Sequence, residues 1–212
     1  MDKVITISRE LGSGGHELGE RLADLLGVPF YDKELITLAS ENTNIAEDIF
    51  EHYDEHVIDQ AGLDIIEHRS FSEIYQIPMS DAIFVAQSNI IRRLALKGPC
   101  VIVGRCADRI LNDSINIFVH ANIKKRMERT LELEPGTEGG KALEERIKEV
   151  DKKRKEYYQY YTGSIWGRAQ NYHLCLDSGE VGVDGCIRAV LAYMGEIELL
   201  NEFVEGRVGE DD

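Results

Sequence analysis

The chain has 212 residues, of which 43% are hydrophobic and 30% charged, and its formal net charge is −15. This length and composition indicate a soluble globular protein with one α/β domain and at most a small insertion. The negative charge argues against general binding to nucleic acids or to acidic membranes. No apolar run approaches the roughly 20 residues that a membrane-spanning helix needs.

The cysteines and the first residues predict a cytoplasmic protein. None of the four cysteines stands in a C-x-x-C pair; they are Cys100, Cys106, Cys175 and Cys186. In a chain of this size such cysteines are expected to be buried thiols in a reducing compartment, rather than disulfides or metal ligands. Residues 1–4 lead directly into a strand pattern and lack the layout of a signal peptide.

Predicted strands and helices alternate along the chain. Short apolar runs predict strands at residues 4–8, 28–31, 100–103, 115–119 and 172–176. Apolar residues at helical spacing predict helices at 18–26, 33–40, 81–96, 124–133, 143–161 and 184–203. Residues 43–80, rich in acids, are expected to form helices with loose connections. The alternation indicates βαβ units and a parallel sheet, with ligands bound where the strands end.

A glycine-rich turn lies between the first strand and the first helix, and it consists of Gly12, Ser13, Gly14 and Gly15. Glycine permits the positive φ angles that let consecutive backbone N–H groups point inward. The amino terminus of the helix adds further N–H groups and a favourable dipole. These features predict a phosphate-binding P-loop, and a tight turn without a ligand is the alternative.

The turn lacks two side chains of the usual P-loop pattern, G-x-x-x-x-G-K-[ST]. With Gly14 as the second glycine of the pattern, Arg9 replaces the first one. Gly15 then stands at the position of the lysine, which faces the β- and γ-phosphates, and His16 at that of the hydroxyl that holds Mg²⁺. We expect the whole segment to bind nucleotide phosphates: Arg9, Gly12, Ser13, Gly14, Gly15 and His16.

Four segments in combination resemble the cytidylate kinase-like family. They are residues 5–19 (ITISRELGSGGHELG), 30–32 (FYD), 101–108 (VIVGRCAD) and 160–167 (YYTGSIWG). The resemblance extends from about residue 3 to residue 195 and implies an α/β, three-layer P-loop kinase fold. In that fold a five-stranded parallel sheet is flanked by helices and carries a helical lid.

The resemblance also implies how the chain is divided. We expect a single domain over residues 1–204, with an acceptor-binding insertion at about 33–80 and a lid at about 130–165. The acidic, glycine-containing residues 205–212 are expected to form a disordered tail.

Three residues are expected near the acceptor. In cytidylate kinases a Gly-Arg-Asp turn holds the phosphate of the acceptor nucleotide, and Arg105 resembles its arginine, whose guanidinium suits bidentate phosphate binding. Cys106 replaces the aspartate of that turn, so that Asp108 either substitutes for it or caps its own helix. Asp32 resembles an aspartate near the acceptor sugar, and it could equally cap the following helix.

Basic residues of the lid are the candidates for catalysis. Phosphoryl transfer depends mainly on positioning and charge stabilisation, and lid arginines of this fold neutralise the transferring group. The matching residues are Arg126, Arg129 and Arg154. Residues 146–155 carry six basic and two acidic side chains, a net charge of +4, and a solvated helix face is the alternative for the lysines among them. We hypothesise that Arg9 or Arg154 replaces the missing lysine.

The resemblance implies an ATP-dependent phosphotransferase that acts on a nucleoside monophosphate such as CMP, or on a related small molecule. Mg²⁺ would bridge the nucleotide phosphates, and no protein metal site is assigned, since His52 and His56 have no evident third ligand. The missing lysine supports the alternative of a non-catalytic regulatory domain that binds a nucleotide or phosphate. No nucleic-acid or membrane partner is expected, and the long helices at 81–96 and 184–203 suit a homodimer.

Overall fold

The computed structural model describes residues 3–41 and 79–195. Its strands are β1 (Val4–Arg9), β2 (Phe30–Tyr31), β3 (Val101–Val103), β4 (Ser114–His120) and β5 (Leu174–Asp177). Its helices are α1 (Gly15–Leu26), α2 (Glu34–Glu41), α3 (Met79–Lys97), α4 (Ala107–Ile110), α5 (Ile123–Leu133), α6 (Lys141–Thr162) and α7 (Ser178–Met194). A short 3₁₀ helix, Ala169–Asn171, precedes β5.

The five strands form one sheet in the order β2-β3-β1-β4-β5. Every neighbouring pair is parallel, and Ile5 of the central strand β1 lies opposite Val101 on one side and Ile115 on the other. The predicted five-stranded parallel sheet is therefore confirmed. Strand β2 is shorter than expected, because the N–H of Val28 donates to the carbonyl of Ala23 and closes the end of α1 instead of joining the sheet.

Helices cover both faces of the sheet. Alternate residues of a strand point to opposite faces, and the buried residues divide accordingly into two cores. Ile5 and Ile7 of β1 pack with α1 and α7, whereas Val4 packs with α2 and α3. The carboxyl ends of the strands consequently open between the two helical layers, at the edge where ligands bind in parallel sheets.

Several predicted features fall outside the described residues. These are most of the acceptor-binding insertion, the pair of His52 and His56, the end of the last predicted helix, and the tail at 205–212. Helix α7 begins at Ser178, earlier than the sequence suggested, and it contains a kink at Gly182 with a φ of 67°. Within the described ranges no helix is both long and apolar enough to cross a membrane.

Close packing of α1 on the sheet requires a glycine at position 19. A Cβ added there would lie 2.9 Å from the ring of Phe30 and 2.9 Å from a methyl group of Val103. We expect Gly19→Ala to lower the free energy of unfolding by about 1–3 kcal/mol, although alanine favours helices. Urea denaturation measures this change. Gly139→Ala is the control, since its Cβ would meet no atom closer than 3.7 Å, and equal effects of the two substitutions would contradict the prediction.

Candidate active site

The glycine-rich turn connects the end of β1 to the start of α1. Gly12 and Gly14 have φ angles of 73° and 78°, which are accessible to glycine at little cost. The turn is closed by Ser13, whose backbone N–H and hydroxyl donate to the carbonyl of Glu10 at 3.2 and 2.8 Å. Gly14 is the N-cap of α1 and offers no side-chain cap. The first-turn N–H groups and the helix dipole therefore remain suited to an anion.

Packing explains why the lysine of the usual motif is missing. A Cβ at Gly15 would overlap the Cβ of Arg9 and lie 3.0 Å from its Cγ. A side chain at this position is thus excluded by Arg9 as long as the turn keeps its conformation. At Gly12, likewise, a Cβ would lie only 2.6 Å from the carbonyl oxygen of Arg126. The glycines are required both for their φ angles and for the close approach of neighbouring residues.

Three arginines surround a small cavity at the carboxyl ends of β1 and β3. They are Arg9, Arg105 and Arg154, and Ser8 and Trp166 also line the cavity. Its volume of about 20 Å³ is enough for roughly one water molecule. An organic phosphate could enter only if a neighbouring element moved, and α6, which carries Arg154, is the one expected to belong to the lid.

Asp32 binds to three basic side chains at this edge of the sheet. Its carboxylate accepts from Arg105, lies 2.7 Å from Nδ1 of His16, and lies 3.6 Å from a guanidinium nitrogen of Arg9. Asp32 and Arg105 are 5% and 3% exposed, so they form a buried ion pair. Arg105 and Cys106 have backbone φ angles of 51° and 55°, which residues other than glycine adopt at an energetic cost.

His16, at the position of the missing hydroxyl, faces Asp32. The hydrogen bond to the Asp32 carboxylate raises the pKa of His16 above its usual value, although partial burial opposes this shift. The imidazole also contacts the ring of Phe30 edge-on, with centroids 5.3 Å apart. A protonated His16 would place another positive charge beside the turn.

Asp108 is buried between the sheet and α6. Its carboxylate accepts from the hydroxyl of Tyr158 at 2.6 Å and from that of Ser8 at 3.5 Å, and burial raises its pKa. The aromatic residues near the end of α6 pack in the same region, where Tyr161 stacks on Phe84 of α3 with centroids 4.1 Å apart. These contacts fix the end of α6 against α3 and α4.

The three arginines that are the candidates for catalysis bind carbonyl groups of the turn or of the residues just before it. Arg126 donates from Nε to Leu11 at 2.7 Å, Arg129 donates to Gly12 at 2.9 Å, and Arg154 donates to the carbonyl of Arg9 at 3.2 Å. Arg126 is only 6% exposed. The lysines of α6 behave differently, since Lys148 and Lys152 form exposed pairs with acids one turn away, as a solvated helix face would.

Three residues of the site were not anticipated from the sequence. Asp151 pairs with Arg126 and accepts from the N–H of Leu11 at 2.8 Å. Glu10 also contacts Arg126, at 3.2 Å, and burial raises its pKa while Arg126 opposes this shift. Ser178, at the start of α7, donates to the carbonyl of Ser13. An acid within the basic segment 146–155 was the only signal that pointed to Asp151.

Residues 3–41 and 79–195 contain no group of three or more histidine, cysteine, aspartate or glutamate side chains that could hold a metal ion. Positively charged side chains dominate around the cavity instead. This arrangement suits the oxygens of an anionic ligand.

The contact between His16 and Asp32 makes stability depend on pH. Because the folded-state pKa of His16 is raised, its contribution is complete below the unfolded pKa of about 6.5 and is lost as the pH rises through the higher folded value. We expect wild-type protein to exceed His16→Gln in melting temperature by more at about pH 5.5 than at about pH 8.5. Thermal denaturation at both pH values measures this, and a constant difference would contradict it.

Comparison with known proteins gives both the family and the fold. The model of the cytidylate kinase-like family matches residues 4–180. The crystal structure of an uncharacterized protein from Eubacterium ventriosum ATCC 27560 is 28% identical with a TM-score of 0.66, and the match covers 91% of this chain and 98% of that one. No curated protein matches the sequence.

Two solved structures of small-molecule kinases share the fold at lower sequence identity. Shikimate kinase from Bacteroides thetaiotaomicron is 14% identical with a TM-score of 0.50, and the match covers 92% of this chain and 99% of that one. A gluconokinase from Sinorhizobium meliloti 1021 is 16% identical with a TM-score of 0.50, and coverage is 100% and 98%. The architecture is therefore that of P-loop kinases, and the family match over residues 4–180 shows that the chain belongs to the cytidylate kinase-like family.

Proposed function

We propose that the chain transfers the γ-phosphoryl group of ATP to a nucleoside monophosphate such as CMP. The observation that carries this proposal is the meeting of Arg9, Arg105 and Arg154 at one cavity beside the glycine-rich turn. Membership of a kinase-like family and the kinase fold support a nucleotide-binding phosphotransferase. The charge of these arginines suits two phosphate groups brought together for transfer.

Each part of the site has a role in this proposal. Backbone N–H groups of the turn bind the phosphates of ATP, and Arg9 supplies the charge that lysine supplies elsewhere. Arg105 binds the phosphate of the acceptor, held in place by its buried pair with Asp32. Arg154 approaches from α6 and stabilises the charge that spreads over the transferring group. The acceptor phosphate is itself the nucleophile, so that no protein side chain need form a covalent intermediate.

In this proposal Mg²⁺ would bind together with ATP. A hard cation of this kind prefers oxygen ligands and keeps several waters, and the phosphates of ATP would supply such oxygens. His16 occupies the position of the usual hydroxyl and is already directed to Asp32. In this proposal the arginines beside the turn supply positive charge, and Mg²⁺ would be held through the nucleotide.

Substitution of Arg105 tests the acceptor site. Arg105→Lys retains the charge but loses the bidentate geometry, so we expect the KM for CMP to rise about tenfold or more while the KM for ATP changes little. A coupled assay of ADP release, with CMP, dCMP, UMP, AMP, shikimate and gluconate offered separately, measures both values. Arg109→Lys, an exposed arginine of α4, is the matched control. An unchanged KM for CMP in Arg105→Lys would contradict the assignment.

A regulatory domain that binds without turnover is the second candidate. It is favoured by the glycine and histidine at the lysine and hydroxyl positions of the motif. The same assay separates the two functions. Absence of ADP release with every acceptor, together with a higher melting temperature in the presence of ATP or CMP, would establish a binding domain in place of a kinase.

Restoring the lysine of the motif is expected to damage the protein. In Gly15→Lys the new side chain would meet Arg9, so we expect a loss of about 1–3 kcal/mol in the free energy of unfolding and weaker ATP binding, without a gain in turnover. Denaturation and calorimetric titration with ATP measure these effects. Gly139→Lys introduces the same side chain in an open loop and should behave as wild type. Faster turnover in Gly15→Lys would contradict the steric explanation.

A further inference from the structure

One ion pair, between the buried Arg126 and the partly buried Asp151, holds the peptide groups on both sides of Leu11. Asp151 accepts from the N–H of Leu11 through Oδ1 at 2.8 Å, and Arg126 donates from Nε to the carbonyl of Leu11 at 2.7 Å. The second carboxylate oxygen of Asp151 binds a terminal nitrogen of Arg126. The residue before Gly12 is thereby fixed at both of its backbone polar groups by two side chains that also bind each other.

The surroundings leave this arrangement little freedom. Arg126 also lies 3.2 Å from a carboxylate oxygen of Glu10, and the same oxygen accepts from the N–H of Ala121 at 3.3 Å. The carbonyl of Arg126 occupies the space next to Gly12, and it accepts from the hydroxyl of Thr130 at 2.8 Å. Helix α5 therefore packs directly on the turn, and Asp151 connects both of them to α6.

We propose that Asp151, acting through Arg126, is a positioning residue that sets the shape of the phosphate-binding turn. Nucleotide binding and the placement of α6 against the turn are then coupled, so that each favours the other. This inference rests on the proposed function in that it takes the turn as the site for ATP. It assigns to Arg126 a role in holding the turn, rather than in contacting the transferring phosphoryl group.

Asp151 lies on the same helix as an arginine of the small cavity, so the two residues move together when α6 moves. Arg154 lies three residues further along the same helix and lines the small cavity. A movement of α6 that admits an acceptor also removes Asp151 from Leu11 and frees the turn to change shape. Since a ligand shifts an equilibrium only by its difference in affinity for the two states, ATP bound to the ordered turn favours the closed position of α6.

Asp151→Ala tests the proposal directly. We expect its Kd for ATP, measured by calorimetric titration, to rise at least about fivefold. In turnover, the KM for ATP should rise with little change in kcat, because the turn is formed once ATP is bound. Glu144→Ala removes an acid from an exposed pair on the same helix and should bind ATP as wild type does. A Kd for ATP in Asp151→Ala equal to that of wild type would overturn the proposal.

A double variant separates positioning from stability. Removal of Arg126 alone leaves the carboxylates of Glu10 and Asp151 without their shared cation, whereas replacement of Asp151 as well leaves only Glu10 in that state. We therefore expect Arg126→Met/Asp151→Leu to have a higher melting temperature than Arg126→Met alone, while its affinity for ATP stays low because Leu11 has lost both partners. Recovery of wild-type affinity together with stability would show that the pair serves stability alone.

Hydrogen exchange of the Leu11 amide tests the same contact without nucleotide. We expect its exchange to be faster in Asp151→Ala than in wild type, and unchanged in Glu144→Ala. Equal exchange in wild type and Asp151→Ala would overturn the proposal. If wild type failed to bind ATP, the proposed function would be wrong, and the exchange rates would still decide whether Asp151 shapes the turn.

Discussion

The glycine-rich turn obtains its arginine contacts from helices that are distant in the chain, and the rest of the site depends on this arrangement. The carbonyls of residues 9, 11 and 12 accept hydrogen bonds from three arginines of α5 and α6. In the usual P-loop one lysine of the loop itself faces the phosphates. Here that position is a glycine packed against Arg9. The shape of the turn consequently depends on α5 and α6 as well as on its own residues.

Asp32 has the complementary electrostatic role. Cations gathered at one edge of a sheet repel each other, and a buried unpaired guanidinium would be costly. The carboxylate of Asp32 offsets this by binding Arg105 and by lying near Arg9 and His16. It also fixes the direction of each side chain. A chain with a net charge of −15 can therefore present a local cationic site, since a single acid orients the basic groups without neutralising all of them.

Local patterns allowed the sheet and the turn to be predicted, whereas contacts between distant residues could not be. β1, the glycines and α1 follow from β-branched and helical periodicity within 25 residues of sequence. The two-residue β2 was overestimated, because the apolar pattern does not reveal that Val28 bonds back to α1. The contact of Asp151 with Leu11 joins residues 140 positions apart and depends on how α6 docks, which periodicity does not report. The contact of Arg126 with the carbonyl of Leu11 depends on the same docking, so the sequence indicated only a basic residue on the helix before the break.

The two kinds of arginine contact have different consequences for ligand binding. Arg154 donates to the neutral carbonyl of Arg9, and hydrogen bonds to charged acceptors are stronger than those to neutral ones, so that a phosphate can replace this carbonyl with a net gain. Arg126, which is itself buried, is already paired with two carboxylates, and exchange of partners would leave an acid uncompensated. On the proposed function, Arg154 therefore changes partner when nucleotide binds, whereas Arg126 keeps its partners and preserves the turn.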